Sequence, residues 1–380
     1  MAFAFETMLK IAHFTNVIDG RSNSGTARVA RELITELSKR DDVRQFFIHF
    51  DNSDDPIYSL PNSVNIVLNR CRFPIGSRFL GFIQFILVNR YKGIYDFDIV
   101  HWHVARIYPL FHLLPTKATI VTIHDAGNYL LNGVMDLPNW IFRLTYELFQ
   151  TRIRYFIVVS ENAKNNLISK SRINKQRILV NYPATDIKSK SMKTPKEFVG
   201  IPKDALIVLC VSRWQKHKNV EILISCFEKI SWVNERAHLL IVGKAVGSYN
   251  FPQSYIDKLP KSRVTVMCDL EDSELAYLYS MAYINVAPSL HEGFGLNVLE
   301  AMSFGCPSIV DKFTATAEIA ERSGICVDMR NERDLQIALE NILNEPKTRA
   351  RLSIESTKRA LTFSWNKFAN QMIDIYQNSI

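Results

Sequence analysis

Short apolar segments alternate with longer amphipathic ones along most of the chain. Candidate strands in the first half are LKIAHF (9–14), FFIHF (46–50), VNIVL (64–68), DIVHWH (98–103), TIVTIHD (119–125) and FIVVS (156–160). The second half continues with LIVLCVS (206–212), HLLIVG (238–243), VTVMC (264–268), YINVAPS (283–289), PSIVD (307–311) and GICVD (324–328). Near-continuous apolar runs are typical of strands buried on both faces, and segments with helical periodicity, such as ARVARELITELSK, lie between them. The alternation predicts an α/β protein with parallel sheets and crossover helices.

The two series of strands are separated by a polar, lysine-rich stretch, TDIKSKSMKTPKEFVGIPKD (185–204). We interpret it as a linker and place a domain boundary near residue 195, which gives an N-terminal domain over 1–195 and a C-terminal domain over 196–363. Each is predicted to be a doubly wound, Rossmann-like sheet. Two such domains face each other across a cleft between the carboxyl ends of their strands, where ligands of these sheets bind.

Composition narrows the class of protein. Hydrophobic residues make up 47% and charged residues 22% of the 380 positions, as in folded soluble proteins. The six cysteines are scattered without a CxxC pair, which favours free, mostly buried thiols in a reducing compartment over structural zinc or disulfides. The N-terminus has no secretory signal pattern. We therefore expect a cytoplasmic protein.

The longest apolar run, FLGFIQFILV (79–88), is too short to span a membrane. One interpretation is a buried helix of the core, and the other is a helix that rests on anionic lipid at the inner face of the membrane. The net charge of +8 permits the second and suits acidic ligands such as nucleotides, phosphates and lipid headgroups. No nucleic-acid motif is present, so we expect no nucleic-acid partner.

The stretch HEGFGLNVLE (291–300) combines two carboxylates with a predicted helix start. A strand ends near Leu290 and a helix is predicted from about Leu296, so Glu292 lies in the connecting loop and Glu300 about one turn into the helix. Two carboxylates in these positions can accept hydrogen bonds from hydroxyl groups. The plain structural alternative is that Glu292 caps the helix and Glu300 is a solvated surface charge.

Between these carboxylates lie backbone groups that suit a phosphate. The N–H groups of Phe294, Gly295 and Leu296 are at the predicted helix N-terminus, where the helix dipole also favours an anion. Gly293 and Gly295 allow a ligand to approach the backbone closely. Hydroxyl-rich groups on either side of a phosphate describe a nucleotide sugar.

A basic loop follows the first strand of the second domain. VSRWQKHKN (211–219) places Arg213, Lys216, His217 and Lys218 at the same predicted sheet edge. Two cations there would neutralise a diphosphate, and Arg can bind it in bidentate fashion. A solvated basic loop is the equal alternative. The glycine spacing of a P-loop is absent, and neither domain opens with GxGxxG.

Together, HEGFGLNVLEAMSFGCPSIV and SRWQKHKN resemble the retaining GT-B glycosyltransferases of family 4, also called group 1. Glu292 and Glu300 match the E-x7-E motif of that family. The resemblance extends over nearly the whole chain, through NSGTARVARELITEL (23–37), TIHDA (122–126), VVSENAKNNL (158–167) and FSWNKFANQMIDIYQ (363–377).

The resemblance implies roles for individual residues in binding the donor. Arg213 and Lys218 would bind the diphosphate and stabilise the departing nucleotide. Glu300 would accept hydrogen bonds from the ribose, and Glu292 would contact the donor sugar near the amides of residues 294–296.

Three further assignments follow from the resemblance. His124 would lie beside the donor sugar and the acceptor, Gly25 near the diphosphate, and Leu270 against the nucleobase. Without the family, His124 would rather be a satisfied core histidine. Members need no essential metal or other cofactor, and this chain has no DxD in a position to hold a metal ion. Retention is usually explained by front-face attack, in which the leaving phosphate takes the acceptor's proton.

Three positions depart from the family pattern and could alter donor preference: Asn297, Ser212 and Cys268. The resemblance also implies that a C-terminal helix, residues 364–380, packs back on the N-terminal domain. We therefore expect a metal-independent retaining hexosyltransferase. It would transfer sugar from a nucleotide-diphosphate donor to a glycan or lipid-linked acceptor, in polysaccharide or lipopolysaccharide biosynthesis.

Two alternatives remain open. One is a catalytically silent nucleotide-sugar-binding subunit that supports a partner enzyme, which would bind the nucleotide without transferring or hydrolysing the sugar. The other is a GT-B epimerase or phosphorylase, although a phosphorylase normally has a pyridoxal lysine and a far longer chain, and the epimerases lack this E-x7-E context.

Overall fold

A computed structural model of the chain describes residues 8–18, 24–50, 55–68, 77–125, 137–231, 234–245 and 253–380. Asn23 and Ala126, at the ends of two motifs quoted above, lie outside these ranges. The chain divides into two compact units. The first contains the residues up to Pro183 together with Trp365–Ile380, and the second runs from Ala184 to Ser364.

The first unit is built on a parallel sheet. Its strands are β1 (Leu9–Phe14), β2 (Val43–His49), β3 (Ser63–Val67), β4 (Phe97–Trp102), β5 (Thr116–Ile123), β6 (Tyr155–Val158) and β7 (Ile178–Val180). Their order is β3-β2-β1-β4-β5-β6-β7, so the chain winds outward in both directions from β1 and β4. The six strands predicted for this half are confirmed, whereas β7 was not predicted because it has only three residues.

Helices connect these strands. In the first unit they are α1 (Gly25–Leu37), α2 (Ser77–Lys92), α3 (Leu137–Phe149) and α4 (Glu161–Lys170). The Ser24 hydroxyl caps α1 by accepting a hydrogen bond from the Ala27 N–H at 3.2 Å. Helix α2 contains the apolar run 79–88, and its Phe82 and Ile86 are buried against the sheet, as the core-helix interpretation requires.

The second unit repeats the architecture. Its strands are β8 (Leu206–Trp214), β9 (Ala237–Ala245), β10 (Val264–Met267), β11 (Ile284–Ala287), β12 (Ser308–Asp311) and β13 (Ile325–Val327), in the order β10-β9-β8-β11-β12-β13. All of them were predicted. The helices are α5 (Val220–Ser231), α6 (Gln253–Ile256), α7 (Asp272–Met281), α8 (Leu296–Ser303), α9 (Ala315–Ala320), α10 (Glu332–Asn344) and α11 (Pro346–Ala360).

The last helix, α12 (Trp365–Gln377), packs against the first unit. Its buried face carries Phe368, Met372 and Tyr376. The Asn181 side-chain amide donates to the Phe368 carbonyl at 3.0 Å, and the Tyr376 hydroxyl lies 2.6 Å from His101 Nδ1 on β4. Both apolar burial and buried hydrogen bonds therefore hold this helix on the first sheet.

The lysine-rich stretch belongs to the second unit. Ile187 and Ile201, near its two ends, are buried in that unit's core, and the Lys193 N–H donates to the Ser273 carbonyl at 3.1 Å. The division consequently falls after Pro183, earlier than the boundary placed near residue 195.

Two sequence expectations bear on compartment and membranes. The described cysteines are free, and Cys268 and Cys326 are exposed rather than buried, whereas Cys71 lies outside the described residues. None of the described helices is long and apolar enough to cross a bilayer.

Candidate active site

The second sheet reverses its winding direction between β8 and β11. Strands β9 and β10 extend the sheet on one side of β8, and β11, β12 and β13 extend it on the other. In doubly wound sheets ligands bind outside the carboxyl ends of the strands at such a point. The loops that follow β8 and β11 contain the basic and acidic motifs, and the Leu290 N–H joins them by donating to the His217 carbonyl at 2.9 Å.

Lys218 and Glu292 form an ion pair across these two loops. Lys218 Nζ lies 2.5 Å from Glu292 Oε1, and the two side chains are 18% and 16% exposed. Asn219 fixes the turn after Lys218, because it adopts a left-handed conformation with φ 54° and its amide donates to the Met329 carbonyl at 2.8 Å. Glu292 therefore binds a cation, and it does not cap α8, whose start at Gly295 has no side-chain cap.

Glu300 is a buried carboxylate in the first turns of α8. It is 7% exposed, and the hydroxyl of Tyr279 on α7 donates to its Oε2 at 3.0 Å. The alternative of a solvated surface charge is therefore wrong for this residue. A buried carboxylate whose Oε2 is bonded by Tyr279 is suited to accept further hydrogen bonds from a ligand.

The turn into α8 requires glycine at position 295. Gly295 has φ +100°, and a Cβ there would lie 2.6 Å from Thr316 Cγ2. The helix begins at Leu296, as predicted, so the N–H groups of the first turn point out of its N-terminus. The ring of Phe294 is buried and packs against Phe363, whereas Gly293 is half-buried in the same loop.

Arg213 lies near the end of β8, and Leu270 follows β10, which is separated from β8 by β9. Arg213 is the second-last residue of β8. Its side chain is exposed and has no ion-pair partner among the parts of the chain that the structure describes. Its guanidinium is therefore accessible to an anion. Leu270 lies between β10 and α7, half-buried and packed on the core of this unit, so only part of its side chain is open to a ligand.

In the first unit, His124 follows β5 directly and Gly25 begins α1. The His124 Nε2–H donates to the His103 carbonyl at 3.0 Å, which leaves Nδ1 as the acceptor. Burial lowers the pKa of His124 to about 4, so its imidazole is neutral at pH 7. Gly25 is exposed beyond β1, at the point where the first sheet reverses direction between β1 and β4.

Comparison with known proteins identifies the chain. The model of Glycosyltransferase Family 4 matches residues 23–189, and that of Glycosyl transferases group 1 matches residues 191–359. The chain belongs to glycosyltransferase family 4. This glycosyltransferase is 22% identical over 341 residues to the O-antigen chain mannosyltransferase RfbU of Salmonella typhimurium, a match that covers 86% of the chain and 89% of RfbU.

Solved structures show the same GT-B fold. Sucrose-phosphate synthase from Thermosynechococcus elongatus superposes with a TM-score of 0.74 at 20% identity, over 97% of this glycosyltransferase and 98% of that chain. Anabaena HepE, solved in complex with UDP and glucose, gives 0.74 at 14% identity, over 97% and 100% of the two chains. At these identities the likeness establishes the fold alone.

The departures from the family pattern have local explanations in two cases. The Asn297 side-chain amide donates to the Val211 carbonyl at 2.9 Å, so it ties the first turn of α8 to the end of β8. The Ser212 hydroxyl donates to the Arg213 carbonyl at 3.1 Å. Cys268 is exposed after β10. Asn297 and Ser212 thus each donate a hydrogen bond to a carbonyl near the end of β8, where Arg213 lies.

A buried histidine cluster on the first sheet was not predicted. His13 on β1 is the register partner of His101 on β4, and His103 follows on the same face. His13 Nδ1 lies 3.0 Å from His103 Nε2, while His101 bonds Thr122 Oγ1 at 2.7 Å and the Tyr376 hydroxyl. The HxH spacing in DIVHWH is the sequence signal that could have indicated it, since alternate strand residues share a face.

Among the described residues, these three imidazoles are also the group with metal-ligand spacing, their nitrogens lying within 4.8 Å of one another. Burial lowers the pKa of all three, that of His13 to about 3. The neutral rings hydrogen-bond one another and nearby hydroxyls within the sheet.

Proposed function

We propose that this glycosyltransferase moves a hexose from a nucleotide-diphosphate donor to a glycan or lipid-linked acceptor, with retention of configuration and without a metal ion. The observation that carries the proposal is that the Lys218–Glu292 pair and the buried Glu300 both belong to the elements that follow β8 and β11, at the direction change of the second sheet. Polysaccharide or lipopolysaccharide assembly on the cytoplasmic side of the membrane is the setting that we favour. It is supported by the likeness to RfbU, which is described as an O-antigen chain mannosyltransferase.

The donor diphosphate would bind where the cations are. Lys218 is already held in place by Glu292, and Arg213 is accessible at the end of β8. These two positive charges, with the N–H groups at the start of α8, can stabilise the negative charge that develops on the leaving diphosphate. This arrangement would provide the counter-charge that a divalent ion provides in other enzymes.

The two glutamates would contact opposite ends of the donor. Glu300 would accept hydrogen bonds from the ribose hydroxyls, and Glu292 from the donor sugar, while Leu270 would lie against the base. Since Glu292 is already paired with Lys218, we assign it to binding a hydroxyl and not to removing a proton. We therefore assign the acceptor's proton to the departing phosphate, in a front-face attack.

His124 would bind a hydroxyl of the donor sugar or of the acceptor. Its Nε2–H is already engaged by the His103 carbonyl, so Nδ1 would accept the hydrogen bond. A neutral imidazole with a fixed tautomer can orient a hydroxyl without carrying charge. Gly25 would allow the diphosphate to approach α1 closely.

Calorimetric titration with UDP, GDP, ADP, CDP and TDP, each compared with its nucleoside, tests the donor site. We expect one diphosphate to bind best. Arg213→Ala and Lys218→Ala should each weaken its binding by roughly tenfold or more, because each removes a charge-assisted hydrogen bond, and should change nucleoside binding little. Lys216→Ala is the matched control, since Lys216 is an exposed lysine of the same loop.

Equal losses for diphosphate and nucleoside would contradict the phosphate roles. Turnover with the sugar form of the best nucleotide then tests catalysis, with the anomeric configuration of the product read by NMR. Unchanged rates after treatment with a chelator are expected if no metal takes part. Binding without transfer or slow hydrolysis of the sugar would instead support a silent nucleotide-sugar-binding subunit.

A further inference from the structure

Helix α2 carries an apolar stripe on its outer face. Leu80, Leu87, Val88 and Tyr91 recur at helical spacing and are 38%, 61%, 41% and 91% exposed. We call these four residues the outer stripe. Gln84 is an exposed polar residue on the same side of the helix. In soluble proteins the solvent side of a surface helix is normally polar, so an apolar outer face indicates an interaction surface.

The opposite face of α2 is fixed to the first unit. Phe82 and Ile86 are buried, and the ring of Phe82 packs at 5.8 Å from that of Trp102 on β4. The Asn89 side chain also bonds the backbone of Tyr95, accepting from its N–H at 2.7 Å. The helix therefore cannot rotate to bury its outer stripe without losing its core contacts.

Charge along this segment has one sign. From Ser77 to Tyr95 the chain has three cations, Arg78, Arg90 and Lys92, and no carboxylate. Arg90 and Lys92 are exposed at the C-terminal end of the helix, next to Tyr91. Two copies of the chain joined through this face would bring these cations together, whereas anionic headgroups would neutralise them.

We propose that α2 lies in the surface of an anionic membrane, with the outer stripe among the acyl chains and Arg90 and Lys92 among the headgroups. A helix of 16 residues, about 24 Å long, suits an orientation in the plane of the interface. Tyr91 has the amphipathic ring that is enriched at this depth. Membrane binding by α2 is argued from the helix alone. Only the idea that it brings the enzyme to a lipid-linked acceptor rests on the proposed function.

Vesicle flotation tests it without donor or acceptor. The full chain is mixed with vesicles of phosphatidylcholine and phosphatidylglycerol in equal parts, or of phosphatidylcholine alone. We expect at least about tenfold stronger partitioning onto the anionic vesicles, which added salt should weaken. Leu87→Glu with Tyr91→Glu should abolish binding, and Arg90→Glu with Lys92→Glu should remove the preference for anionic lipid. Ile354→Glu on α11 is the control, because Ile354 is 58% exposed.

Equal partitioning of the wild type and the Leu87/Tyr91 double variant would overturn the proposal. A wild type that binds neither kind of vesicle would also overturn it. If light scattering then showed a changed oligomeric state in the double variant, the outer stripe would join two copies of the chain. Nucleotide binding by the double variant is measured in parallel. Retained nucleotide affinity with lost vesicle binding separates the membrane surface from the donor site.

Discussion

At the residue scale, the buried carboxylate of Glu300 shows how a neighbouring hydroxyl prepares a binding group. Tyr279 is fully buried on α7, and its hydroxyl donates to Glu300 Oε2 at 3.0 Å. This bond fixes one carboxylate oxygen and offsets part of the free energy lost when the charge leaves water. We infer that Tyr279 positions Glu300 for the ribose hydroxyls and does not itself touch the donor.

Tyr279→Phe tests that positioning role. Losing a hydrogen bond to a charged group costs about 1.5–3 kcal/mol, so we expect the affinity for the preferred nucleoside diphosphate to fall by roughly tenfold. The analogue that lacks both ribose hydroxyls should bind the variant and the wild type equally. Tyr277→Phe, a half-buried tyrosine on the same helix, is the control. An equal loss for the ribose and dideoxy forms would show a general structural defect instead.

At the scale of elements, the contact between α8 and β8 aligns the two loops of the site. The Asn297 amide donates to the Val211 carbonyl at 2.9 Å, just before Arg213. The order of β8 and β11 in the sheet brings these elements together, although they are far apart in the sequence. The Asn297 side chain therefore adds to the Leu290–His217 backbone bond and the Lys218–Glu292 pair in aligning the helix start with the basic loop.

Substitution of Asn297 should weaken that alignment in a defined order. Asn297→Ala removes the hydrogen bond and should lower the free energy of unfolding by about 1 kcal/mol. Asn297→Asp places a carboxylate against the Val211 carbonyl and should destabilise the protein more. Urea unfolding and diphosphate titration should therefore both rank the wild type first, Ala second and Asp last. A rank in which Asp equals the wild type would exclude this role for Asn297.

The sequence predicted the strands better than it predicted the contacts between side chains. Among the described residues, apolar runs located every strand except β7, and the helical pattern of residues 296–305 located the start of α8. The Lys218–Glu292 pair joins residues 74 positions apart, and no periodicity indicates which cation meets which carboxylate. The sequence left open the alternative that Glu300 is a solvated surface charge, because the burial of a helix face depends on its neighbours. The sequence predicted strands at His13, His101 and His103 but not the contact between their rings, because that contact depends on which strands lie side by side.

At the scale of the whole molecule, buried imidazoles make the free energy of unfolding depend on pH. In the first unit burial lowers the pKa of His101 and His103, that of His13 to about 3 and that of His124 to about 4. In the second unit burial lowers the pKa of His238 to about 4. An unfolded histidine titrates near 6.5. Below that pH the unfolded chain binds protons that the folded chain does not, so stability is complete above about pH 6.5 and falls as the pH is lowered.

The decline should begin before the carboxylates titrate and should affect the first unit more. Each histidine that stays neutral in the folded state contributes a slope of about 1.4 kcal/mol per pH unit between pH 6 and 5. Carboxylates with lowered pKa, such as Asp98 and Glu332, add to the decline only as the pH approaches about 4, where the unfolded forms begin to bind protons.

Urea unfolding followed by hydrogen exchange at pH 7, 6 and 5 measures the slope for each unit. His13→Gln, which carries no charge at any of these pH values, should reduce the slope of the first unit by about one proton, and His238→Gln should do so only in the second. A slope that stays unchanged in His13→Gln would mean that His13 is already protonated within the folded sheet.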